Sequence, residues 1–271
     1  MKKITGSRKK YLVVILLLAI AVILTAVIAL RNNITFQASI EEVYPRVDGS
    51  FIQSWLVVNW DDAKWLKEFE YLKEAGMHYL IFAPSAQCES GKTTRTIYPS
   101  AIEGYQIYDG YPDLIDNCLR NAQKAGIKIF LGLNMHDDWW KKYADDPQWL
   151  YDRMQEGNAV ADELYGSYKS KYPDAFYGWY WVWEVDNNNF KAPGQQEVLS
   201  NALNINLDYL SKLDKSMPLL FSPFMNKKCG DAYEYRKMWE NVFSLTRFRA
   251  GDIFCPQDCI GAGGLDRKSV V

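Results

Sequence analysis

The chain has 271 residues, 48% of them hydrophobic, with 31 basic and 33 acidic side chains and a formal net charge of −2. That apolar share suffices for one large domain with a sizeable core, or two small ones, and excludes a disordered or fibrous class. The near balance of charge leaves no footprint for nucleic acid, so none is expected as a partner.

What charge does cluster sits at the start. Lys2, Lys3, Arg8, Lys9 and Lys10 precede an apolar run over residues 11–30, about the length that crosses a bilayer core as a helix. The run is longer than a signal-peptide core and has no clear small-x-small cleavage site, so it reads as an uncleaved anchor. The basic flank stays cytoplasmic by the positive-inside rule, with only Arg31 beyond the run. The expected organisation is a basic cytoplasmic tail at 1–10, a transmembrane anchor at 11–30, a tether at 31–48 and a domain at 49–271. The protein would be single-pass, bound to the lipid bilayer through 11–30, with its C-terminal domain outside the cytoplasm.

From there the chain alternates strand-like and helix-like segments. "FIQSWLVVN" (51–59) is strand one. Asp61 or Asp62 caps a helix whose Leu66, Phe69 and Leu72 share a face, and Gly76 ends it. "HYLIFAPS" (78–85) is strand two. An irregular stretch, 86–111, follows, in which "TTRTIYPS" suits a short rim hairpin. Pro112 opens a helix with Leu114, Cys118, Leu119 and Ala122 on its buried face, closed by Gly126. "IKIFLGLN" is strand three, and 147–171 is a long helical region. The stretch 178–189, "GWYWVWEVDNNN", is strand four. Helix at 195–215, strand five in "PLLFSPFM", helix at 232–243 and strand six in "DIFCPQD" complete the series.

Strands alternating with helices at this spacing imply a parallel sheet. An open doubly wound sheet normally carries a Gly-rich turn after its first strand, and "SWLVVNWDD" has none, which favours an α/β fold of the (β/α)8 TIM-barrel type. Only six strands are found where a closed barrel needs eight. The expectation is a barrel truncated after strand six, lacking on the order of 50 to 80 residues and poorly folded as it stands.

Five cysteines, Cys88, Cys118, Cys229, Cys255 and Cys259, would face a compartment that permits disulfides. The odd count leaves at least one unpaired, and mostly buried thiols are expected. Cys229 and Cys259 follow neighbouring strands, which leaves a bridge between them geometrically open. There is no C-x-x-C pair, and the two histidines, His78 and His136, are far apart in sequence, so no metal and no cofactor is expected.

Side chains alternate along a strand, so Tyr177, Trp179, Trp181, Trp183 and Val185 share one face of strand four. Gly178, Tyr180, Val182, Glu184 and Asp186 share the other. In a barrel the bulky face packs under the helices and the leaner one points inward, carrying Glu184 to the mouth, where barrel enzymes keep their chemistry. A set of segments in order, "GSFIQSW", "YPS" at 98–100, "FYGWYWVWEVDN", "SPFM" at 222–225 and "DIFCPQDCIGAGG", resembles the family known as domain of unknown function 4434, over 49–264. Each motif is weak alone and the ordered set is strong. The resemblance implies a bacterial glycoside-hydrolase-like barrel, and it speaks to fold more than to reaction because the family's activity is unestablished.

Sugar hydrolysis needs a carboxylic acid to protonate the leaving oxygen and a second carboxylate as nucleophile or base. A strand-four glutamate resembles the acid/base of many barrel glycosidases, so Glu184 is the candidate acid, against a plain ion pair with a rim cation. Asp186 is the weaker alternative, since it can equally be a turn residue beyond the strand. Asp258, in "PQDCIG", is the candidate partner, with Gln257 beside it for a sugar hydroxyl. "NMHDDWW" offers Asn134, His136, Asp138 and Trp139 as substrate contacts, Trp139 also reading as a packing residue and His136 with Asp138 as a weak metal pair. Gln53 and Trp55 could line the floor. His78 opens strand two at the opposite end and reads as structural. Two functions stand: an anchored glycoside hydrolase acting on a carbohydrate, and a catalytically silent barrel that binds glycan or wall polymer.

Overall fold

The computed structural model describes residues 47–257. The apolar run at 11–30, Asp258 and Cys259 lie outside the described residues, and among the described residues no helix is long and apolar enough to cross a membrane. The chain builds β1 (Gly49–Gln53), α1 (Asp62–Glu74), β2 (Tyr79–Ala83), β3 (Ala86–Cys88), β4 (Thr94–Thr96), β5 (Tyr105–Ile107) and α2 (Leu114–Ala125). It continues with β6 (Lys128–Gly132), β7 (Asn134–His136), α3 (Trp139–Lys142), α4 (Pro147–Leu164), β8 (Phe176–Trp181), α5 (Pro193–Asp214), β9 (Leu219–Phe221), α6 (Ala232–Leu245) and β10 (Ile253–Phe254). Six strands form a curled, wholly parallel half-barrel sheet in the order β1–β2–β6–β8–β9–β10. These six match the six expected strands, in the expected order.

The sheet has two different faces because its side chains alternate. Outward, under the helices, lie Phe82, Ile129, Leu131, Trp179, Trp181 and Phe221 in one large core. Inward, Ala83, Phe130, Tyr180 and Leu220 form a smaller cluster flanked by Tyr79, Ile81, Tyr177 and Val182. Tyr177 is a correction, since simple alternation puts it with the outward tryptophans. The β6–β8 register pairs Ile129 with Phe176 but Phe130 with Gly178, so β8 carries one extra residue, a bulge, and both Phe176 and Trp179 turn outward. Gly178 is needed there: a Cβ would sit 2.6 Å from the Phe130 ring and 2.7 Å from the Pro218 carbonyl oxygen.

Other boundaries shift for local reasons. Strand one ends at Gln53, and Ser54–Leu56 turn into a 3-10 helix, so Trp55 leaves the sheet. On α1, capped by the Asp61 side chain accepting from the Lys64 N–H at 2.8 Å, Trp65 and Phe69 are the buried pair, while Leu66 is turned out. Helix α2 starts at Leu114, capped by Asp113, rather than at Pro112. Of the described cysteines only Cys118 is buried; Cys88 and Cys229 are half-buried and Cys255 is exposed, and all four are free thiols.

The stretch expected to be irregular builds a second sheet, ordered β5–β4–β3–β7. β4 pairs antiparallel with β3, as a rim hairpin would, but β5 then adds in parallel, and β7 leaves the end of β6 to pair with β3. Strands this short carry too few residues for periodicity to register. The loop after β4 is fastened to α4 by Glu163, which accepts from Tyr98 Oη at 2.8 Å, Ser100 Oγ at 2.6 Å and the Ala101 N–H at 2.5 Å.

The outward core also holds a polar knot. Asn206 on α5 accepts from Trp181 Nε1 at 3.0 Å and donates to the Met154 carbonyl and to Asn158 Oδ1, both at 2.8 Å. Removing it strands several buried groups. Asn206→Ala should therefore lower the unfolding free energy by about 1–3 kcal/mol, read from denaturant melting, and an unchanged midpoint would show that the knot contributes nothing.

Candidate functional site

The carboxyl ends of the parallel strands form a rim on which β8 delivers Glu184. Regular pairing of β8 stops at Trp181, and the chain rejoins the β9 side through a parallel bridge between Asp186 and Phe224. Trp183 and Val185 are buried in the outward core, which holds the segment in place, and Trp139 Nε1 donates to the Glu184 carbonyl at 3.0 Å. The Glu184 side chain is half-buried and has no hydrogen-bond or ion-pair partner among the described residues. Burial alone raises its pKa above 4.5.

Two tyrosines that sequence reasoning missed feel this carboxylate. Tyr180 is pushed up to about 12, chiefly by burial and further by Glu184, while a hydrogen bond with Ser222 pulls the other way. Tyr143 is raised by burial, then by Asp186 and Glu184. Its backbone sits at φ 41°, among the described residues the one non-glycine position in the left-handed region, a conformation that such a residue adopts only where its surroundings hold it. The signal for both lay in the tertiary structure.

Asp186 is buried and committed to a turn. Its Oδ1 accepts from the Asn188 and Asn189 N–H groups at 2.6 and 2.8 Å, and its Oδ2 from Asn189 Nδ2 at 2.7 Å. Gln257 is exposed at the β10 end, its Nε2 donating to the Ser222 carbonyl at 2.8 Å, so it joins the rim through the residue that bonds Tyr180.

The "NMHDDWW" residues lie mostly behind the rim. Trp139 is wholly buried against Trp183 and Phe190 and presents no ring face to a ligand. Asn134 is buried and donates to the Arg153 carbonyl at 2.8 Å. His136 is buried edge-on against Trp149, its Nδ1 accepting from the Asp138 N–H at 3.0 Å, and burial lowers its pKa. Asp138 bonds Ser90 Oγ and lies 3.5 Å from Lys141 Nζ. Among the described residues no group of three or more His, Cys, Asp or Glu side chains is gathered for a metal.

Gln53 ends β1 opposite Ala83, and Trp55, half exposed, stands at the mouth of a cleft of about 380 Å³ between the ends of β1 and β2 and the second sheet. Ser85, Gln87, Arg95, Tyr108 and Asp137 also line it. His78 contacts Asp48 at 2.8 Å at the opposite end of the sheet.

Glu184 sets a sign for stability against pH. Its pKa is raised in the fold, so the folded protein holds that proton more tightly than the unfolded chain, and stability is fully present below pH 4.5 and lost as pH rises through the raised value. Glu184→Gln should therefore melt at a higher temperature than the parent at pH 7 and together with it at about pH 4 and below. Equal melting temperatures at both pH values would remove the desolvated carboxylate from the account.

Among solved structures, a Bacteroides thetaiotaomicron protein provisionally named an alpha-L-fucosidase aligns with a TM-score of 0.58 at 19% identity, covering 82% of this chain and 68% of that one. An endo-1,4-beta-mannanase from Rhizomucor miehei aligns at 0.45 and 16% identity, covering 73% and 62%. An intracellular xylanase from Thermoanaerobacterium saccharolyticum aligns at 0.42 and 17%, covering 76% and 60%. The chain thus spans less than two thirds of the mannanase and the xylanase. At such identities the likeness is one of fold, and the first alignment, the only one of the three above 0.5, marks that fold as glycoside-hydrolase-like. No curated protein matches the chain. The family model described as domain of unknown function 4434 matches residues 47–270, most of the sequence, and the chain belongs to that family.

Proposed function

We propose that this protein is a membrane-anchored, outward-facing carbohydrate-active protein, most simply a glycoside hydrolase in which Glu184 is the general acid. The observation that carries the reading is Glu184 itself: a half-buried carboxyl on the strand-end rim of a glycoside-hydrolase-like half-barrel, unpartnered among the described residues and raised in pKa by burial. A carboxyl in that state keeps its proton further up the pH scale than an exposed one and can give it to a leaving glycosidic oxygen. Tyr180 and Tyr143 flank it as neutral hydroxyls. The second carboxylate of the reaction is assigned to Asp258, next to Gln257, because Asp186 has its oxygens filled by the Asn188–Asn189 turn. The same commitment of Asp186 favours the second reading, a barrel that binds glycan without cleaving it. No cofactor is invoked in either.

Release of reducing sugar from a panel of bacterial and host glycans separates the two. On the hydrolase reading the parent protein turns over a glycan, Glu184→Gln loses about 100- to 10,000-fold in kcat, and the parent's rate falls as pH rises through the Glu184 pKa, above 4.5. Binding without turnover in both forms supports the silent barrel instead. The anchor has its own test: protease added to intact cells should trim the protein to a short membrane fragment, and full protection would refute the orientation.

A further inference from the structure

The cleft beside Trp55 has no role in the chemistry assigned to Glu184, yet it is built like a binding site. Its volume, about 380 Å³, is in the range of small-ligand pockets. On its lining lies Ser85, wholly buried, whose Oγ has no hydrogen-bond partner among the described residues. The Ser85 backbone is fixed, its N–H donating to the Gly132 and Leu133 carbonyls at 3.1 Å and its carbonyl accepting from the Ile97 N–H at 3.1 Å. A buried hydroxyl held in place without a partner is costly unless something else completes it.

Arg95, on β4, is similarly underused. Its Nη1 reaches the Ile107 carbonyl at 3.3 Å and the exposed Asp109 carboxylate at 3.5 Å, and its remaining guanidinium nitrogens have no partner among the described residues. Gln87 Nε2 donates to Asp137 Oδ1 at 3.2 Å, which leaves the Gln87 oxygen and the other Asp137 oxygen for a ligand. Aromatic surface completes the lining: the Trp55 ring, 48% exposed, and the Tyr108 and Tyr111 rings, 5.0 Å apart and inclined by 31°.

The charges decide the ligand class. Arg95 stands on the lining with Asp137 and Glu89, and two of these charges already have partners beyond it, Arg95 in Asp109 and Glu89 in Lys92, so the lining mixes both signs without a field of either. An anionic sugar would meet Asp137 and Glu89, and a cationic one Arg95. A neutral polyol suits interleaved donors and acceptors with aromatic faces alongside.

We propose that this cleft is a binding subsite for a neutral pyranose, its hydroxyls held by Ser85, Gln87, Arg95 and Asp137 and its apolar face laid on Trp55. The proposal rests on the carbohydrate reading of the protein and adds a substrate class and a direction. The cleft opens at the ends of β1 and β2, and β6 alone separates β2 from β8 in the sheet. Two strand spacings are about 10 Å, so a short oligosaccharide seated here can extend along the rim toward Glu184.

The test is calorimetric titration of the full-length protein with neutral tetrasaccharides of the xylo, manno, gluco and galacto series, with tetragalacturonate as the acidic probe and tetraglucosamine as the basic one. At least one neutral tetramer should bind, more tightly than either charged probe. Trp55→Ala and Ser85→Ala should each weaken it about tenfold or more. Ser85→Ala should do so without lowering the melting temperature, because it deletes a hydroxyl that has no partner in the protein. A neutral tetramer that is bound but not hydrolysed would sink the hydrolase reading while still supporting the cleft, which keeps the two failures distinct. Preference for a charged probe, absence of binding to every neutral tetramer, or affinity unchanged in both cleft variants would each overturn the proposal.

Discussion

The bulge in β8 fixes which way everything beyond it points. Phe176 and Trp179 both face the helices because Tyr177 is the extra residue against β6, and from Trp179 onward the alternation runs undisturbed: Tyr180 and Val182 inward, Trp181 and Trp183 outward. A shift of one residue would turn every following side chain to the opposite face. It would drive Tyr180 under the helices and expose Trp181 and Trp183, each of which favours burial by about 1.5–3 kcal/mol or more. Gly178 makes the bulge possible by giving room to Phe130 and Pro218, and Trp181, bonded to Asn206, locks the phase to α5. The tryptophans and the carboxylate in one short segment are thus a single device, with the indoles anchoring the strand and Glu184 held at its end.

A rim made only of strand ends would be shallow on the β1 side. The second sheet supplies a wall there, and its strands are too short to hold themselves. Glu163 fastens the loop after β4 to α4, and β7 ties β3 to the chain leaving β6. On the other side Asn187 and Asn226 clasp the loops after β8 and β9, Asn226 N–H donating to Asn187 Oδ1 at 2.7 Å and Asn187 Nδ2 to the Asn226 carbonyl at 3.1 Å. The rim therefore has two fixed shoulders, with Glu184 between them and the nearby Asp186 already spent on its turn.

Local surroundings distinguish carboxylates that look alike in a sequence. Asp186 lies two residues from Glu184 and on the same face by count, yet it closes a turn, while Glu184 has no partner among the described residues and rises in pKa. The difference arises from Asn188 and Asn189, whose backbone folds back over Asp186, a local capture for which Asp is well suited. Glu184 has one more methylene and no such turn within reach.

Six strands, their order and the helices between them were legible in the sequence, because hydrophobic periodicity and glycine stops depend on neighbours a few residues away. The two-faced character of "WYWVWEV" was legible for the same reason, as was the buried face of α2. Tyr177 was misplaced because a bulge is set by the partner strand, and the face of α1 was misread by one residue because Trp65 and Leu66 are equally apolar. The second sheet went unread because three-residue strands have no period. Likewise Trp139 and Asn134 look like ligand contacts in a list and belong to the packing, since only the fold decides which side of a strand end a following turn takes. Sequence determined the scaffold and nominated Glu184. Tertiary structure decided that Asp186 is spent on a turn, that Tyr143 and Tyr180 border the Glu184 carboxylate, and that Ser85, in the bend between β2 and β3, and Arg95, ten residues on in β4, share one cleft, because contacts between separate segments are fixed by packing and leave no local pattern.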